Sequence, residues 1–232
     1  MSDDTASAGR MISLNGTRLE TDLSGALIWR ERQVVVFADL HLEKGSSYHG
    51  RGRSFLPPYD SETTLTRLEA VLAAYSPEMV VCLGDSFHDR EATARLSRTA
   101  RDRLRVLTER HDWLWIAGNH DSSPPTGLGG RHCGELTIGG LIFRHEARDG
   151  DASGEVSGHY HPKASVRVRG RRMSARCYAT DGRRLIMPAF GAYTGGLNVL
   201  APAIQERLTS GFAAHLLGRH GVYRYTRTAL IG

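Results

Sequence analysis

Side chains of metal-binding type follow five predicted strands of this chain. One pair has the spacing D-x-H and another the spacing H-x-H, and side chains two residues apart on a strand point to the same face. We therefore expect both members of each pair to reach one centre. The strand ends supply seven candidate ligands: Asp39, His41, Asp85, Asn119, His145, His159 and His161.

This set of ligands suits two metal ions better than one. Four ligands close a typical small site, so a larger set can surround two ions that share a bridging carboxylate. Imidazole and oxygen ligands without a thiolate favour manganese, iron or zinc. The cysteines Cys82, Cys133 and Cys177 show no C-x-x-C spacing, which argues against a structural zinc site or a disulfide framework and fits a reducing compartment.

Short apolar runs precede the candidate ligands and predict the strands that position them. Runs 33–38, 79–83 and 113–117 have the apolar composition of strands buried on both faces. One helix is predicted between the first two strands, capped by Asp60 or Ser61, and another between the second and third. The carboxyl ends of strands in such an arrangement are the usual place for ligands.

The second half of the chain predicts more strand than helix. Glycine turns at 139–140 and 170 indicate hairpins, and 185–190 is a last apolar strand. We therefore predict an α/β (α+β) fold class, a four-layer αββα sandwich of two packed mixed β-sheets flanked by helices. Residues 1–10 are predicted to form a disordered N-terminal tail, and 11–232 a single domain.

Charge and hydropathy limit the partners and the cellular compartment that we expect for this protein. The formal net charge is +5, and all but two of the basic residues are arginine. A basic surface suits a polyanionic partner. No apolar run approaches the ~18 residues of a membrane span, and the N-terminus has no apolar signal-peptide core. We expect a cytoplasmic protein without a membrane partner.

The order of the ligand motifs resembles a known superfamily. The series D-x-H, G-D, G-N-H-D, H and G-H-x-H, over roughly residues 34–161, resembles the calcineurin-like metallophosphoesterases. Four segments resemble the ligase-associated DNA damage response endonuclease group (PdeM-type) within it: Asp39–Gly45, Leu56–Tyr59, Gly158–Pro162 and Pro188–Gly196. This second likeness covers most of the chain. We predict two divalent metal ions as cofactors, manganese first, with iron or zinc as alternatives.

The superfamily resemblance also implies a role for each residue. Asp39, His41 and His161 would hold the first metal ion, Asn119, His145 and His159 the second, and Asp85 would bridge them. His120 would lie just outside the metals, oriented by Asp121, and act on the scissile phosphate as proton donor to the leaving oxygen. The sequence departs from a Gly-Asp-x-x-Asp-type run at Gly84-Asp-Ser-Phe-His-Asp89. It is therefore open whether His88 or Asp89 has a role just outside the metal ligands.

Positive side chains near the ligands are candidates for binding the substrate phosphate. Lys44 follows the D-x-H pair, and Arg51 and Arg53 lie in the long loop that starts there. The basic run 167–176 is either a solvated hairpin or a surface that follows the phosphates of nucleic acid. Segment 190–196 is either a structural turn or a segment that shapes substrate access.

Three functions follow from these observations. The first is a binuclear metal phosphodiesterase that cuts single-stranded or flapped DNA in repair, with a DNA ligase and a helicase as partners implied by the resemblance. The second is the same enzyme acting on a small nucleotide or cyclic-nucleotide diester. The third is a catalytically silent scaffold of the same fold. The intact ligand set argues against the scaffold, since such a protein need not keep Asp85 or His120.

Overall fold

Two mixed β-sheets form the centre of the protein in the computed structural model, which describes residues 9–50, 59–121, 127–150 and 152–232. The first sheet contains β1 (Met11–Leu14), β2 (Thr17–Thr21), β3 (Leu27–Trp29), β4 (Val34–Phe37), β5 (Met79–Cys82), β6 (Asp112–Ile116) and β7 (Arg131–Cys133). Its spatial order is the order in the chain. Strands β1 to β4 run antiparallel, and β4 to β7 run parallel.

The second sheet is built from the later part of the chain. It contains β8 (Glu135–Ile138), β9 (Leu141–Arg144), β10 (Glu155–Ser157), β11 (Lys163–Val168), β12 (Arg171–Thr180), β13 (Arg184–Ile186), β14 (Ala213–Leu217), β15 (Val222–Thr226) and β16 (Leu230–Ile231). The order is β15-β14-β12-β13-β10-β9-β8, and β11 pairs with β12 and β16. Strand β10 runs parallel to both of its neighbours, β9 and β13.

Five helices are described, and most of them cover the first sheet. They are α1 (Lys44–Gly50), α2 (Asp60–Tyr75), α3 (Ala92–Arg95), α4 (Arg98–Arg110) and α5 (Pro202–Gln205). The helix expected between the second and third strands is therefore two helices. The second of them, α4, is capped by Ser97, whose hydroxyl accepts a hydrogen bond from Ala100 N at 3.0 Å.

The N-terminus of α2 does not follow the cap predicted from the sequence. Tyr59 occupies the N-cap position and makes no side-chain cap bond. Asp60 Oδ2 instead accepts from Gly45 N at 3.0 Å, and Ser61 Oγ accepts from Glu43 N at 2.8 Å. The prediction of a local cap was wrong because Ser61 binds the loop that follows β4 and Asp60 binds the first turn of α1.

Three buried apolar layers separate these elements. Leu83, Phe143 and Tyr178 belong to the layer between the two sheets. The helices α2 and α4 pack on the outer face of the first sheet through residues such as Leu68. The outer face of the second sheet is covered by residues such as Ile204 of α5. Full burial of such a side chain stabilises the fold by about 1.5–3 kcal/mol.

The predicted fold class is confirmed, with two packed mixed sheets and helices outside them. The three predicted apolar strands are β4, β5 and β6, each within a residue or two of its expected bounds. Residues 1–8 of the predicted tail lie outside the described residues. Within the described part of the chain, no helix is both long and apolar enough to span a membrane.

Candidate metal centre

Polar residues that follow strands of both sheets meet at one edge of the sandwich. Those from the first sheet follow β4 and β5, and those from the second follow β9 and β10. Two groups of three residues each bring their ligand atoms within 4.8 Å of one another. The groups are Asp39, His41 and His161, and Asp85, His145 and His159. Each group therefore takes residues from both sheets.

The first group joins one buried carboxylate to two imidazoles. His161 Nε2 is 3.3 Å from Asp39 Oδ1 and 3.3 Å from His41 Nε2. Asp39 is fully buried, and His41 is nearly so. The Nδ1 atom of His41 has no hydrogen-bond partner within the described part of the chain. A buried carboxylate that faces imidazole nitrogens fits a divalent cation, because an unpaired buried charge is costly.

The second group is arranged around the ring of His145. Its Nδ1 lies 2.8 Å from Leu83 O, and it donates in this contact because a carbonyl oxygen only accepts. In the neutral ring Nε2 then carries the lone pair. This atom is 3.4 Å from Asp85 Oδ2 and 3.1 Å from His159 Nδ1. Hydrogen bonds of this kind fix which imidazole nitrogen faces a metal.

The members of the H-x-H pair do not serve one centre, contrary to the expectation from strand spacing. His159 lies in one group and His161 in the other. Both follow the end of β10, with φ of 69° and 47°, and the alternation of side chains holds only within an extended strand. Asp39 and His41 also lie beyond their strand, yet both belong to the first group.

Most of the grouped residues adopt the left-handed backbone region that favours glycine. They are Asp39, His41, Asp85, His159 and His161. Each residue of this kind costs roughly 1–3 kcal/mol and needs support from its surroundings. His41 N donates to Asp85 O, and Leu42 N donates to Ser86 O, both at 2.9 Å. The two ligand loops of the first sheet thus hold each other in place.

Glycines allow the ligand loops to approach one another closely. A Cβ atom at Gly118 would lie 2.1 Å from Asp85 N and 2.3 Å from Asp85 Oδ1. A Cβ atom at Gly158 would lie 2.5 Å from Asp39 Oδ2. Contacts this short do not occur at real Cβ atoms, so both motif glycines are required by packing around a carboxylate.

The family of the protein follows from comparison with known sequences and structures. Residues 32–173 match the model of the calcineurin-like phosphoesterase family, which covers more than half of the chain and all six grouped residues. The chain belongs to this family. As a calcineurin-like phosphoesterase it is a metallophosphoesterase hydrolase. The family and the two groups support a binuclear divalent metal centre. No curated protein sequence matches the chain.

Solved structures of a nuclease and of a phosphoesterase are similar to this protein. The crystal structure of Pseudomonas putida nuclease MPE has a TM-score of 0.73 and 27% sequence identity, and the match covers 93% of this chain and 98% of that chain. This likeness fits the ligase-associated endonuclease group. The Escherichia coli phosphoesterase Yfce has a TM-score of 0.42 and 14% identity, over 83% of this chain and 97% of that chain.

Burial and the charges of neighbours set the protonation of the phosphoesterase centre. Burial, and then the charge of His161, lower the pKa of His41 to about 2, so its ring is neutral. Burial also opposes the charged form of His145, but Asp85 and Asp39 raise the pKa of this ring to about 9. Burial acts to raise the pKa of Asp85, yet the contacts with His145 hold it well below its usual value. The anionic carboxylates thus attract either an imidazolium or a metal cation.

His120 lies at the open side of the centre. Its side chain is 48% exposed, and its Nε2 is 3.9 Å from Asp85 Oδ2. The ring stacks on His88 with centroids 5.5 Å apart and an interplanar angle of 16°, and it meets the ring of His41 edge-on. The backbone N–H of His120 donates to Asp85 Oδ1 at 2.9 Å. An exposed imidazole in this place can contact a bound phosphodiester, and His88 supports it from one side.

The Asp121 carboxylate accepts four backbone hydrogen bonds instead of contacting the ring of His120. The donors are the N–H groups of residues 85–87 and of Gly118, at 2.6 to 3.2 Å. Burial raises the pKa of Asp121 to about 6 in spite of these bonds. The contacts show that Asp121 supports the loop of Asp85. They do not supply the predicted role in orienting His120, which stays a prediction.

The remaining predicted site residues have weaker ties to the two groups. Asn119 is exposed after β6, and its amide makes no hydrogen bond to a described residue, so its role as a ligand stays a prediction. Lys44 begins α1, and burial lowers its pKa while Asp60 opposes the change. Arg51 and Arg53 lie outside the described residues, as do Leu56, Pro57 and Pro58.

A polar network beneath the D-x-H loop was not predicted from the sequence. The Glu43 carboxylate accepts from Ser46 Oγ at 2.6 Å and from Ser61 Oγ at 2.7 Å. Arg95 donates to Ser46 Oγ at 3.1 Å and binds both oxygens of Asp89, at 2.9 and 2.8 Å. Asp89, whose part the sequence left open, is therefore the partner of Arg95. The available signal was the position of the glutamate, two residues after His41.

Proposed function

We propose that this metallophosphoesterase hydrolyses phosphodiester bonds of DNA, as an endonuclease that cuts single-stranded or flapped DNA in repair. The observation that carries the hydrolytic reaction is the pair of ligand groups beside the half-exposed ring of His120. DNA as the substrate is supported by the likeness to nuclease MPE. A net charge of +5 also suits a polyanion.

Two divalent metal ions fit the set of ligands. The residues that would hold them are Asp39, His41 and His161 for one ion, Asn119, His145 and His159 for the other, and Asp85 for both. Such ions supply Lewis acidity to a phosphoryl oxygen and generate a strong nucleophile from water. We propose manganese as the resident metal, with iron or zinc as alternatives, because imidazole and carboxylate ligands serve all three.

The residues of the chain orient the phosphodiester and move one proton. His120 would hold a proton on Nε2 and pass it to the departing oxygen, a contribution of ~10²–10⁴-fold in rate. Asp121 would keep the loop of Asp85 in position through its four backbone bonds. Lys44, whose charge reaches His41, would add positive potential for the substrate phosphate, together with Arg51 and Arg53.

Metal-reconstituted protein tests this function on two substrates. The protein is stripped with EDTA and then supplied with Mn²⁺, Fe²⁺ or Zn²⁺. Hydrolysis of bis-p-nitrophenyl phosphate is compared with cleavage of labelled single-stranded and flapped DNA. We expect metal-dependent cleavage of both substrate classes, and none with Asp85→Ala, which removes the shared carboxylate.

Each other outcome selects one of the competing functions. Good turnover of the small diester with intact DNA would refute the DNA substrate and favour a small nucleotide or cyclic-nucleotide diester. Metal-loaded protein without either activity would favour the silent scaffold. The ranking of rates shows which of the three metals supports turnover, and metal analysis of the protein purified from its own cells decides whether manganese is the resident ion.

The cellular setting is also a proposal. We propose a cytoplasmic repair protein that acts with a DNA ligase and a helicase, because segments Asp39–Gly45 and Pro188–Gly196 resemble the ligase-associated group. Affinity purification of the tagged protein from its own cells, before and after DNA damage, tests this. Enrichment of neither enzyme under either condition would contradict it.

A further inference from the structure

We propose that one face of the hairpin formed by β11 and β12 binds the phosphate backbone of a single DNA strand beside the metal centre. The inference rests on the proposed DNA substrate and adds the surface that holds it. We call this face the hairpin track. It consists of Lys163, Arg167, Arg172, Ser174 and Arg176.

The strand register places these residues on one face. Lys163 is paired with Arg176, and Arg167 with Arg172, and directly opposed residues share a face. Between these pairs lies Ser174, opposite the buried Ser165. Alternate positions on a strand are about 6.6 Å apart, which is comparable to one nucleotide of an extended strand. The track therefore repeats polar groups at a spacing that suits successive phosphates.

The positive charge of the track has no carboxylate counterpart. Within the described residues, none of its four cations forms an ion pair, and Arg172 donates instead to Ser165 Oγ at 3.3 Å. Arginines on other surfaces do pair, as Arg103 does with Glu69 at 2.7 Å. Unpaired cations that line one face of a strand pair are the pattern expected of a surface that follows a phosphate backbone.

Arg67 extends the hairpin track at the end where Arg176 lies. Arg67 and Arg176 both donate to Ser24 O, at 2.7 and 3.4 Å, and neither pairs with a carboxylate of the described residues. Burial, and then repulsion by Arg176, lower the pKa of Arg67 to about 10. Two partly buried guanidinium groups without a counter-ion destabilise each other, and a bound phosphate would relieve that repulsion.

The track begins at the metal centre. Lys163 lies two residues beyond His161, and its stem packs on Gly196 together with the carbonyl of His161. Arg176 Nη1 donates to Ala189 O at 2.6 Å, in the segment that leads to Gly196. A ligand that places one phosphodiester at the metals and further phosphates along this face is a nucleic acid strand. Such contacts position a strand without reading its sequence.

Arginine substitutions on the hairpin test the proposal by the salt dependence of binding. Arg167→Gln with Arg172→Gln removes two exposed cations, and Arg167→Lys with Arg172→Lys keeps their charge. Arg98→Gln with Arg105→Gln removes the same charge from exposed positions on α4 and is the matched control. Fluorescence anisotropy measures the Kd of a labelled oligothymidylate at a series of salt concentrations. Every protein in this assay is metal-loaded and also carries His120→Ala, which prevents cleavage without removing a grouped ligand.

The expected change is a shallower salt slope. Each lost phosphate contact lowers the slope of log K against log salt by about 0.7 for a single strand. The glutamine pair on the hairpin should therefore lower the slope by about 1.4, and the KM for DNA should rise relative to that for bis-p-nitrophenyl phosphate. The lysine pair and the α4 control should keep the wild-type slope. A single Arg167→Gln change, with about half the effect, serves if the pair unfolds.

Different results would overturn the hairpin track and the proposed function. Equal salt slopes for wild type and the glutamine variants would overturn the track while DNA cleavage by the wild type still stands. Wild-type protein that binds the strand through the hairpin but cleaves no DNA would overturn the proposed function and leave the binding surface. Wild-type protein that binds no strand at low salt would overturn the track directly.

Discussion

Replacing Asp121 by alanine separates two roles for this carboxylate. The side chain accepts four backbone hydrogen bonds, from residues 85–87 and Gly118. A donor left without a partner costs about 1–3 kcal/mol, and water can reach part of this loop because Asp121 is only partly buried. We expect a loss of about 3 kcal/mol, equivalent to two such bonds. For a chain of this length the Tm should fall by roughly 6–12 °C.

The same substitution should weaken metal binding. The four bonds hold the loop that carries Asp85, and removing a group that orients a ligand typically costs about 10–100-fold in metal affinity. Titration calorimetry with Mn²⁺ measures the affinity, and scanning calorimetry of the metal-free protein measures the Tm. Asp121→Asn keeps one acceptor oxygen and should recover part of both losses.

A double-mutant cycle with His120→Ala provides the refutation. If Asp121 acts on the loop, its losses in Tm and metal affinity should be the same whether or not His120 is present, because independent effects add. If Asp121 instead orients His120, the alanine variant would lower kcat alone, with Tm and metal affinity unchanged. It would then cause no further loss in the His120→Ala background. That second pattern would refute the loop role.

Three further substitutions have defined outcomes. His120→Ala should keep both metal ions, since the ring of His120 is in neither group, and should lose ~10²–10⁴-fold in turnover. Metal analysis and measurement of kcat check this prediction. Loss of the metals would contradict it. Gly118→Ala would place a Cβ atom 2.1 Å from Asp85 N. We therefore expect the free energy of unfolding to fall by about 1–3 kcal/mol and metal binding to weaken. A Tm equal to that of the wild type would show that the loop can move aside. Burial lowers the pKa of His215, so the unfolded chain binds the proton more readily and stability should fall as pH drops below ~6.5. In urea unfolding at several pH values, His215→Phe should flatten that slope, and an unchanged slope would count against the argument.

Local signals were sufficient to predict the strands and the ligand types. The apolar run at 33–38 contains the β4 strand, which ends at Phe37, immediately before the ligand loop. Gly139 and Gly140 form the predicted hairpin turn between β8 and β9, with φ of 54° and 80°. In both cases the signal lies within a few residues of the structure that it determines.

Features that depend on contacts between distant segments could not be predicted in the same way. The rule for helix caps assigned Asp60 and Ser61 to their own helix, but they bind Gly45 and Glu43, which lie far back in the chain. The spacing rule failed at His159 because left-handed backbone replaces the strand there. Both errors arose because a tertiary contact determined a conformation that local preference describes differently.

The arrangement of the two ligand groups links metal binding to the packing of the sheets. Asp39 and His41 come from the first sheet and His161 from the second, and Asp85 is joined to two imidazoles of the second sheet. The left-handed residues of the ligand loops destabilise this edge of the sandwich by roughly 1–3 kcal/mol each. A cation bound only by the assembled site, at 100 times its Kd, stabilises the fold by about 2.7 kcal/mol. Bound metal ions would therefore offset the strain that positions their own ligands. We expect this edge to open first when they are removed, which amide hydrogen exchange of metal-loaded and metal-free protein measures.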